Sequence, residues 1–257
     1  MWNIIDDLSS FEVCGIPVNS YPVHHGVYFS DPPSSTSSSG KPSVPRPLIC
    51  LAFMFDDKVL YMGDVSEVPD RTWEALGTKR RRKSSSKRLS NGDAPVNGTA
   101  ATNGGVNGAG KIKSSGQTNG VGAPPRLPIF VVDALWPLRA HFSHFSLAQA
   151  MSAALELEPS VTYTLGSTHP TTHFMWEEVC RSFVGEDGQR PEHPDAEISR
   201  GLVGRVRKDV SFSGKEQIAK RWRDFGGKIE PAWDGLGLMV GDDGTWKEIP
   251  VQGGWSI

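Results

Sequence analysis

The sequence predicts an α/β fold, because three short apolar runs alternate with helical and turn patterns. The runs are LICLAFMF at 48–55, IFVVDAL at 129–135 and VTYTL at 161–165. Continuous apolar runs of this length, rich in β-branched and aromatic residues, are typical of strands that are buried on both faces of a sheet. The helical pattern between the last two runs indicates a strand-helix-strand order.

The first apolar run is predicted to form a hairpin with the segment that follows it. LICLAFMF and VLYMGD are separated by Asp56, Asp57 and Lys58, which suit a tight turn. The second segment then delivers Asp64 into a turn that opens a helix. A further strand-like segment, FEVCGIPVNSYPV, lies upstream and leads to the sequence HHG at 24–26.

The second half of the chain gives clearer helix signals. Ser146 and Gln149 form a capping-box pattern before apolar residues at helical spacing. After the strand at 161–165, Gly166 permits a tight turn. We then expect a helix at 172–183, a polar insert through Asp195 and a basic helix near 215–225. The segments KIEPAWDGLGLMV and WKEIPV predict a terminal antiparallel hairpin around 241–244.

Composition excludes several classes of protein. The net charge of −2 gives no overall attraction to nucleic acid or to anionic membranes. Three widely separated cysteines form neither a disulfide framework nor a zinc-finger spacing, which favours a reducing compartment. No signal peptide and no run long enough to cross a bilayer is present, so no membrane partner is expected. These features predict a cytoplasmic protein, with the nucleus as the alternative compartment.

Two low-complexity segments divide one predicted domain. Residues 1–76 are predicted to form its first part, with a mobile loop at 30–47, and residues 127–257 form the remainder. Residues 77–126 are predicted to be a disordered insert, rich in Gly, Asn, Ser and basic residues. The basic block at 79–83 is interpreted as a solvated linker, and a nuclear-import or phosphate-binding patch is the alternative.

Six of the seven histidines fall in three short motifs. The pairs are His24 with His25, His141 with His144, and His169 with His173. Imidazole and carboxylate groups are the ligands that catalytic zinc and manganese sites use. Taken singly, each of these histidines, like Asp64, is more often a structural residue than a ligand. Asp133, at the end of a predicted buried strand, could orient an imidazole or simply cap a turn.

Five segments, in this order, carry a family resemblance: PVHHG, LICLAFMFDDKVLYMGDVSEVP, PIFVVDALWPLRAHFSHFSLAQAM, TYTLGSTHPTTH and EPAWDGLGLMV. The chain resembles the C-terminal part of metallo-β-lactamase-fold hydrolases. Within that superfamily it is most similar to the branch of the cyclic-phosphate phosphodiesterase of bacterial phosphonate breakdown and of uncharacterised fungal and plant hydrolases. The resemblance implies an α/β fold, namely part of a metallo-β-lactamase αβ/βα sandwich.

The resemblance also implies roles for individual residues. Asp64 would bridge two metal ions, with His25 as a ligand of the first ion and His169 as a ligand of the second. His144 would contact the substrate phosphate or protonate the leaving group, although a packed histidine between two phenylalanines is the alternative. The metals implied are Zn²⁺ or Mn²⁺, as a dinuclear centre in the complete family.

One departure from the family is large. Its principal metal motif, His-x-His-x-Asp-His, does not occur in this sequence. We therefore expect a truncated gene product, a shortened isoform or a split domain, in which efficient dinuclear catalysis is not expected. The missing half would leave apolar strand residues such as Leu51, Phe53 and Phe55 exposed, so a homodimer or a complementing partner is expected.

The function predicted from the sequence is a metal-dependent hydrolase that acts on a small phosphodiester, impaired by the missing motif. Two alternatives stand beside it. One is a non-catalytic remnant or interaction protein with an exposed sheet. The other is a nuclease of the same superfamily, which ranks lower because the basic block has no interleaved aromatic residues for base stacking. Nucleic acid is therefore disfavoured as a partner.

Overall fold

The computed structural model describes eight stretches of the chain. They are residues 4–28, 46–78, 127–137, 141–168, 171–184, 194–211, 220–222 and 224–249. All of them belong to one compact unit that spans residues 1–80 and 125–257, and a second unit, 81–124, lies outside the described residues. The predicted domain boundaries, the loop at 30–47 and the insert at 77–126 fall mostly outside these stretches and stay predictions.

A mixed sheet lies at the centre of the described unit, and its seven strands stand in chain order. The strands are β1 (Ser10–Val13), β2 (Ile16–Val27), β3 (Pro47–Phe55), β4 (Val59–Met62), β5 (Ile129–Asp133), β6 (Val161–Leu165) and β7 (Lys228–Pro231). Strands β1 to β4 pair antiparallel, and β4 to β7 pair parallel. A separate antiparallel pair is formed by β8 (Gly237–Val240) and β9 (Trp246–Ile249).

Four helices are bounded in the described stretches: α1 (Asp70–Ala75), α2 (Leu147–Leu157), α3 (His173–Val184) and α4 (Ala196–Ser211). None of the described helices is long and apolar enough to cross a bilayer. The α/β class predicted from the sequence is confirmed. A mixed sheet combined with helices is also compatible with part of a metallo-β-lactamase-like sandwich.

The antiparallel half of the sheet is built from two tight turns. Between β1 and β2, Cys14 and Gly15 both have positive φ, 52° and 82°, as two-residue hairpin turns require. Between β3 and β4, Asp56 and Asp57 have φ values of 49° and 52°. Aspartate tolerates this left-handed region better than most residues because its short side chain bonds locally. The predicted hairpin around Asp56–Lys58 is confirmed.

Helix α2 begins where the sequence predicts it. The Ser146 side chain accepts from the Gln149 N–H, and the Gln149 side chain accepts from the Ser146 N–H at 2.9 Å. This capping box satisfies two N–H groups that the first helical turn leaves without partners. The helix start at Leu147 is thereby fixed three residues after His144.

The core lies mainly between the sheet and the helices. The principal cluster includes residues from β4, β5 and all four helices, among them Leu60, Phe130, Met151, Trp176 and Leu202. A second, smaller cluster of Ile129, Val161 and Tyr163 forms on the other sheet face. Residues of the β8–β9 pair pack against it, including Leu238, Val240 and Trp246.

Two expectations for the C-terminal part were incomplete. KIEP was expected in the terminal hairpin, but it forms β7 and pairs parallel with β6, so the hairpin consists of β8 and β9 alone. Helix α4 was not predicted, because Gly201 and Gly204 lower its helix propensity. The helix predicted near 215–225 is helical at 220–222 and 224–225; residues 212–219 lie outside the described part.

The sheet face opposite the helices is more covered than expected. Leu51, Phe53 and Phe55 are half-buried rather than exposed. The Phe53 ring lies 6.4 Å from the rings of both Phe11 and Phe55, so these side chains shield one another. Tyr61, directly opposite Phe53, is 40% exposed, and so this face stays partly open in the described chain.

We predict that Met62→Ala lowers the free energy of unfolding by about 2–5 kcal/mol, since the Met62 side chain is fully buried and its loss leaves a cavity. Met239→Ala is the matched control, because Met239 is 49% exposed, and it should cost no more than about 0.5 kcal/mol. Urea unfolding followed by circular dichroism measures both. Equal losses for the two variants would contradict the burial described for β4.

Candidate metal centre

Three strands bring their carboxyl ends to one edge of the sheet. Strand β2 is antiparallel to β3, which is antiparallel to β4, so β2 and β4 run in the same direction, and β5 runs with β4. His25 lies near the end of β2, Asp64 follows the end of β4, and Asp133 is the last residue of β5. The topology therefore gathers these side chains at a single edge, where open α/β sheets bind ligands.

A bulge in β2 places His25. The pairing register with β3 shifts by one residue between His24, opposite Ile49, and Val27, opposite Pro47. The extra residue falls at His25 and Gly26, and Gly26 has a φ of +73°. Bulges of this kind locally re-aim a side chain and are frequent beside functional sites.

Ser66 ties the bulge to the turn after β4. Its side chain accepts from the Gly26 N–H at 2.9 Å and donates to the His24 carbonyl at 3.0 Å, and its own N–H donates to the same carbonyl at 2.7 Å. Because Ser66 stands two residues after Asp64, these bonds fix the separation of Asp64 from His25.

Asp64 itself is exposed and sits in the left-handed backbone region, with a φ of 37°. That conformation is strained for most residues and is found preferentially at functional sites. In β3, burial raises the pKa of the Cys50 thiol, and the negative charge of Asp64 raises it further. An exposed carboxylate at the end of a buried strand can contact a ligand without any rearrangement of the core.

The segment between β5 and α2 carries His144 back toward the sheet edge. The Leu135 N–H donates to the Phe145 carbonyl, and the Leu147 N–H donates to the Trp136 carbonyl, both at 2.9 Å. With the Ser146 cap, these bonds hold the residues on either side of His144. The backbone of His144 is thus held in place independently of the contacts of its side chain.

Asp133 lies behind His144. Its Oδ2 is 2.6 Å from His144 Nδ1, and the Asp133 side chain is 7% exposed. Burial raises the pKa of the Asp133 carboxyl, while the hydrogen bonds from His144 and from the Val65 backbone lower it. Gly166 makes room for this carboxyl, because a Cβ at position 166 would lie 2.7 Å from Asp133 Oδ1.

The side chains of His25, Asp64 and His144 converge. One ligand atom from each lies within 4.8 Å of the other two, and the His25 and His144 rings have centroids 4.7 Å apart at 80°. In the described part of the chain this is the only such group of three His, Cys, Asp or Glu residues. Nitrogen and carboxylate donors in this combination suit a divalent transition metal.

His25 supplies a further sign that the residues fit a metal ion. Its Nδ1 is buried and has no hydrogen-bond partner within the described stretches. A buried polar atom without a partner is costly, and native structures usually provide water, an ion or a functional role for it. The donor set and this orphaned nitrogen are both consistent with a bound cation.

The other histidines in the described stretches stand apart from this convergence. His24 Nδ1 lies 3.1 Å from Glu67 Oε2, and His141 Nδ1 lies 3.0 Å from the Ser143 hydroxyl within their own loop. His173 is exposed at the start of α3, with its ring 6.2 Å from that of Trp233. His169, expected as a ligand of a second ion, lies outside the described residues, so that role stays a prediction.

Sequence reasoning missed two residues that shape the site. Ser66 appears in the sequence as an ordinary polar residue in GDVSEVP, and nothing there signals that it bonds to β2. Gly26 was identified only as part of the His-Gly motif. Its structural role is a close approach: a Cβ at this position would lie 3.2 Å from Ser143 Cβ and 3.3 Å from the Phe142 carbonyl oxygen.

A cavity of about 510 Å³ lies next to the centre, on the side of α1 and α2. Its lining includes His24, Glu67, Trp73, Phe145 and Glu156. The three converging residues do not line it. The centre therefore sits at the open edge of the sheet and not at the bottom of this cavity.

Comparison with known proteins gives limited information. No family model matches the chain, and no curated protein is similar to it. A solved structure described as a new diphosphatase from the PhnP family is similar with a TM-score of 0.37 and 19% identity, over 68% of this chain. The chain spans about 41% of the length of that solved chain. A likeness this weak assigns neither the fold nor an activity.

We predict that Gly26→Ala displaces the His144 loop. Gly15→Ala is the matched control, since both glycines have positive φ but a Cβ at position 15 meets nothing within 4 Å. Each substitution should cost about 1–2 kcal/mol of backbone strain. Only Gly26→Ala should shift the imidazole NMR signals of His144 and His25. Unchanged signals would contradict the close packing of Gly26 against residues 142 and 143.

Proposed function

We propose that this chain carries part of the active site of a metal-dependent hydrolase that acts on a small phosphodiester. The observation that supports the proposal is the convergence of His25, Asp64 and His144, whose ligand atoms lie within 4.8 Å of one another at the carboxyl edge of the sheet. The phosphodiester substrate is supported by the order of the sequence motifs. The metal proposed is Zn²⁺ or Mn²⁺.

In this proposal His25 and Asp64 hold the metal. A bound divalent ion would supply Lewis-acid polarisation of a phosphoryl oxygen. The chain provides the geometry: Ser66 fixes the distance between the β2 bulge and the β4 turn, and the exposed Asp64 keeps one side of the centre open. His144 lies at the same point, where it would contact a substrate phosphate or donate a proton to the leaving oxygen.

The proposed activity of this chain is weak. His25, Asp64 and His169 are part of the larger ligand set that the resemblance implies, and the His-x-His-x-Asp-His run does not occur in the sequence. Phosphodiester cleavage through two ions needs both ions held about 3.5–4 Å apart. A complementing partner that carries such a run would supply the missing ligands.

We predict that the wild-type protein binds Zn²⁺ or Mn²⁺ and hydrolyses bis(p-nitrophenyl) phosphate slowly, and that His25→Ala and Asp64→Asn abolish both properties. Metal affinity should fall by more than about 100-fold, because losing an outer-shell partner alone costs about 10–100-fold. His173→Ala is the control, since His173 is an exposed histidine outside the converging group. Isothermal titration calorimetry measures affinity. Metal binding that survives His25→Ala would refute the proposed centre.

A non-catalytic interaction protein is the second candidate function. The observation in its favour is the partly open sheet face, where Val13, Ile16, Ile49 and Tyr61 are 49%, 47%, 42% and 40% exposed. Strand pairing places these side chains on one face. Apolar residues grouped in this way are typical of interaction sites.

We predict for this second candidate that Ile49→Ser with Tyr61→Ser converts a self-associated protein to monomer without changing metal affinity. Loss of an apolar contact surface is the physical reason. Analytical ultracentrifugation measures the mass. A wild-type protein that is already monomeric at high concentration would exclude the homodimer. The nuclease alternative has no support from the described residues, because the basic block at 79–83 lies outside them.

A further inference from the structure

The hydrogen bond between Asp133 and His144 determines which nitrogen of His144 is available to a ligand. Oδ2 of Asp133 and Nδ1 of His144 are 2.6 Å apart, a short distance for a nitrogen–oxygen pair. An ionised carboxylate can only accept, so the imidazole Nδ1 carries the proton and donates it. In the neutral ring, Nε2 then holds a lone pair and is the nitrogen left for a ligand.

This arrangement is the usual environment of a metal-binding histidine. A ligating imidazole commonly donates its other ring N–H to a carboxylate, which fixes the tautomer and the ring orientation and raises the basicity of the ligand nitrogen. Asp133 is well placed for that role because its side chain is 7% exposed and the Val65 backbone also donates to it. The carboxylate is therefore held from two sides before any ligand arrives.

A ligand count points in the same direction. His25 and Asp64 alone provide two protein ligands, whereas catalytic zinc sites typically use three protein ligands and one open position. Within the described stretches, His144 is the only further His, Cys, Asp or Glu that joins the converging group. Ligand atoms bound tetrahedrally at about 2.0–2.2 Å to one ion lie about 3.3–3.6 Å apart, so separations within 4.8 Å have to close by no more than about 1.5 Å when an ion binds.

We infer that His144 is the third protein ligand of a single-ion centre with His25 and Asp64, and that Asp133 is its positioning residue. This inference rests on the proposed function, and it changes the role expected for His144. A neutral Nε2 that binds a metal cannot also protonate a leaving group. A positively charged imidazolium at this point would moreover repel a metal ion held by His25 and Asp64.

The first test is metal affinity, measured by isothermal titration calorimetry with Zn²⁺ and supported by the visible absorption of Co²⁺. We expect His144→Ala to weaken Zn²⁺ binding by more than about 100-fold and Asp133→Asn by about 10–100-fold. His141→Ala is the matched control. His141 lies in the same loop, with its ring 5.5 Å from that of His144, but is outside the converging group, and its substitution should leave the affinity within about twofold of the wild type.

The second test uses the wild-type protein and needs no variant. With ¹¹³Cd²⁺ and ¹⁵N-histidine labelling, we expect scalar coupling between the cadmium nucleus and Nε2 of His144, together with a protonated Nδ1. If cadmium couples to a His25 nitrogen but not to His144, the inference is overturned while the proposed metal centre stands. If no ion binds to the wild-type protein, the proposed function and the inference both fail.

A purely structural role for Asp133 gives a different pattern. In that case Asp133→Asn would lower the urea midpoint but leave the Co²⁺ spectrum of the folded protein unchanged. We expect instead an altered or weakened Co²⁺ spectrum at a preserved fold. An unchanged spectrum in folded Asp133→Asn would overturn the positioning role.

Discussion

The hydrogen bonds of Ser66 to the β2 bulge are the interaction on which the proposed centre depends. They join a strand of the antiparallel half to the turn that leaves β4, where the parallel half begins. Together with the backbone hydrogen bond from the His24 N–H to the Glu67 carbonyl, they hold His25 and Asp64 at a fixed separation. The adjacent Gly26 leaves space for residues 142 and 143, so the same bulge also receives the loop that carries His144.

The centre has one buried and one exposed carboxylate, and this difference in exposure suits them to different roles. Asp133 is almost fully buried, and its desolvation is offset by the hydrogen bonds from His144 and Val65. It can orient an imidazole but has little access to a substrate. Asp64 is exposed at the end of β4 and is free to contact an ion. One carboxylate positions a ligand, and the other can be a ligand itself.

The two faces of the sheet also differ in burial. The helices contribute to the principal core on one face, which is well buried. On the other face, the β8–β9 pair packs over β5 and β6, while residues of β1 to β4 stay partly open in the described chain. The proposed centre lies at the edge shared by both faces. A partner on the open face would therefore be adjacent to the residues that the hydrolase proposal requires.

The sequence alone determined the local features whose causes are local. The strands at 129–133 and 161–165, the Asp56–Lys58 hairpin and the Ser146 capping box all follow from nearby residue patterns. The tertiary structure decided what depends on residues far apart in the chain. Parallel pairing placed KIEP in β7 rather than in the hairpin, and the bulge, Ser66 and Asp133 brought His25, Asp64 and His144 together. Hydrogen bonds and close packing between distant segments leave no periodic pattern in either one, so no sequence signal predicted the bulge or the Ser66 bonds. The roles of His25, Asp64 and His144 came from the family resemblance, and that of Asp133 from its position at the end of a strand.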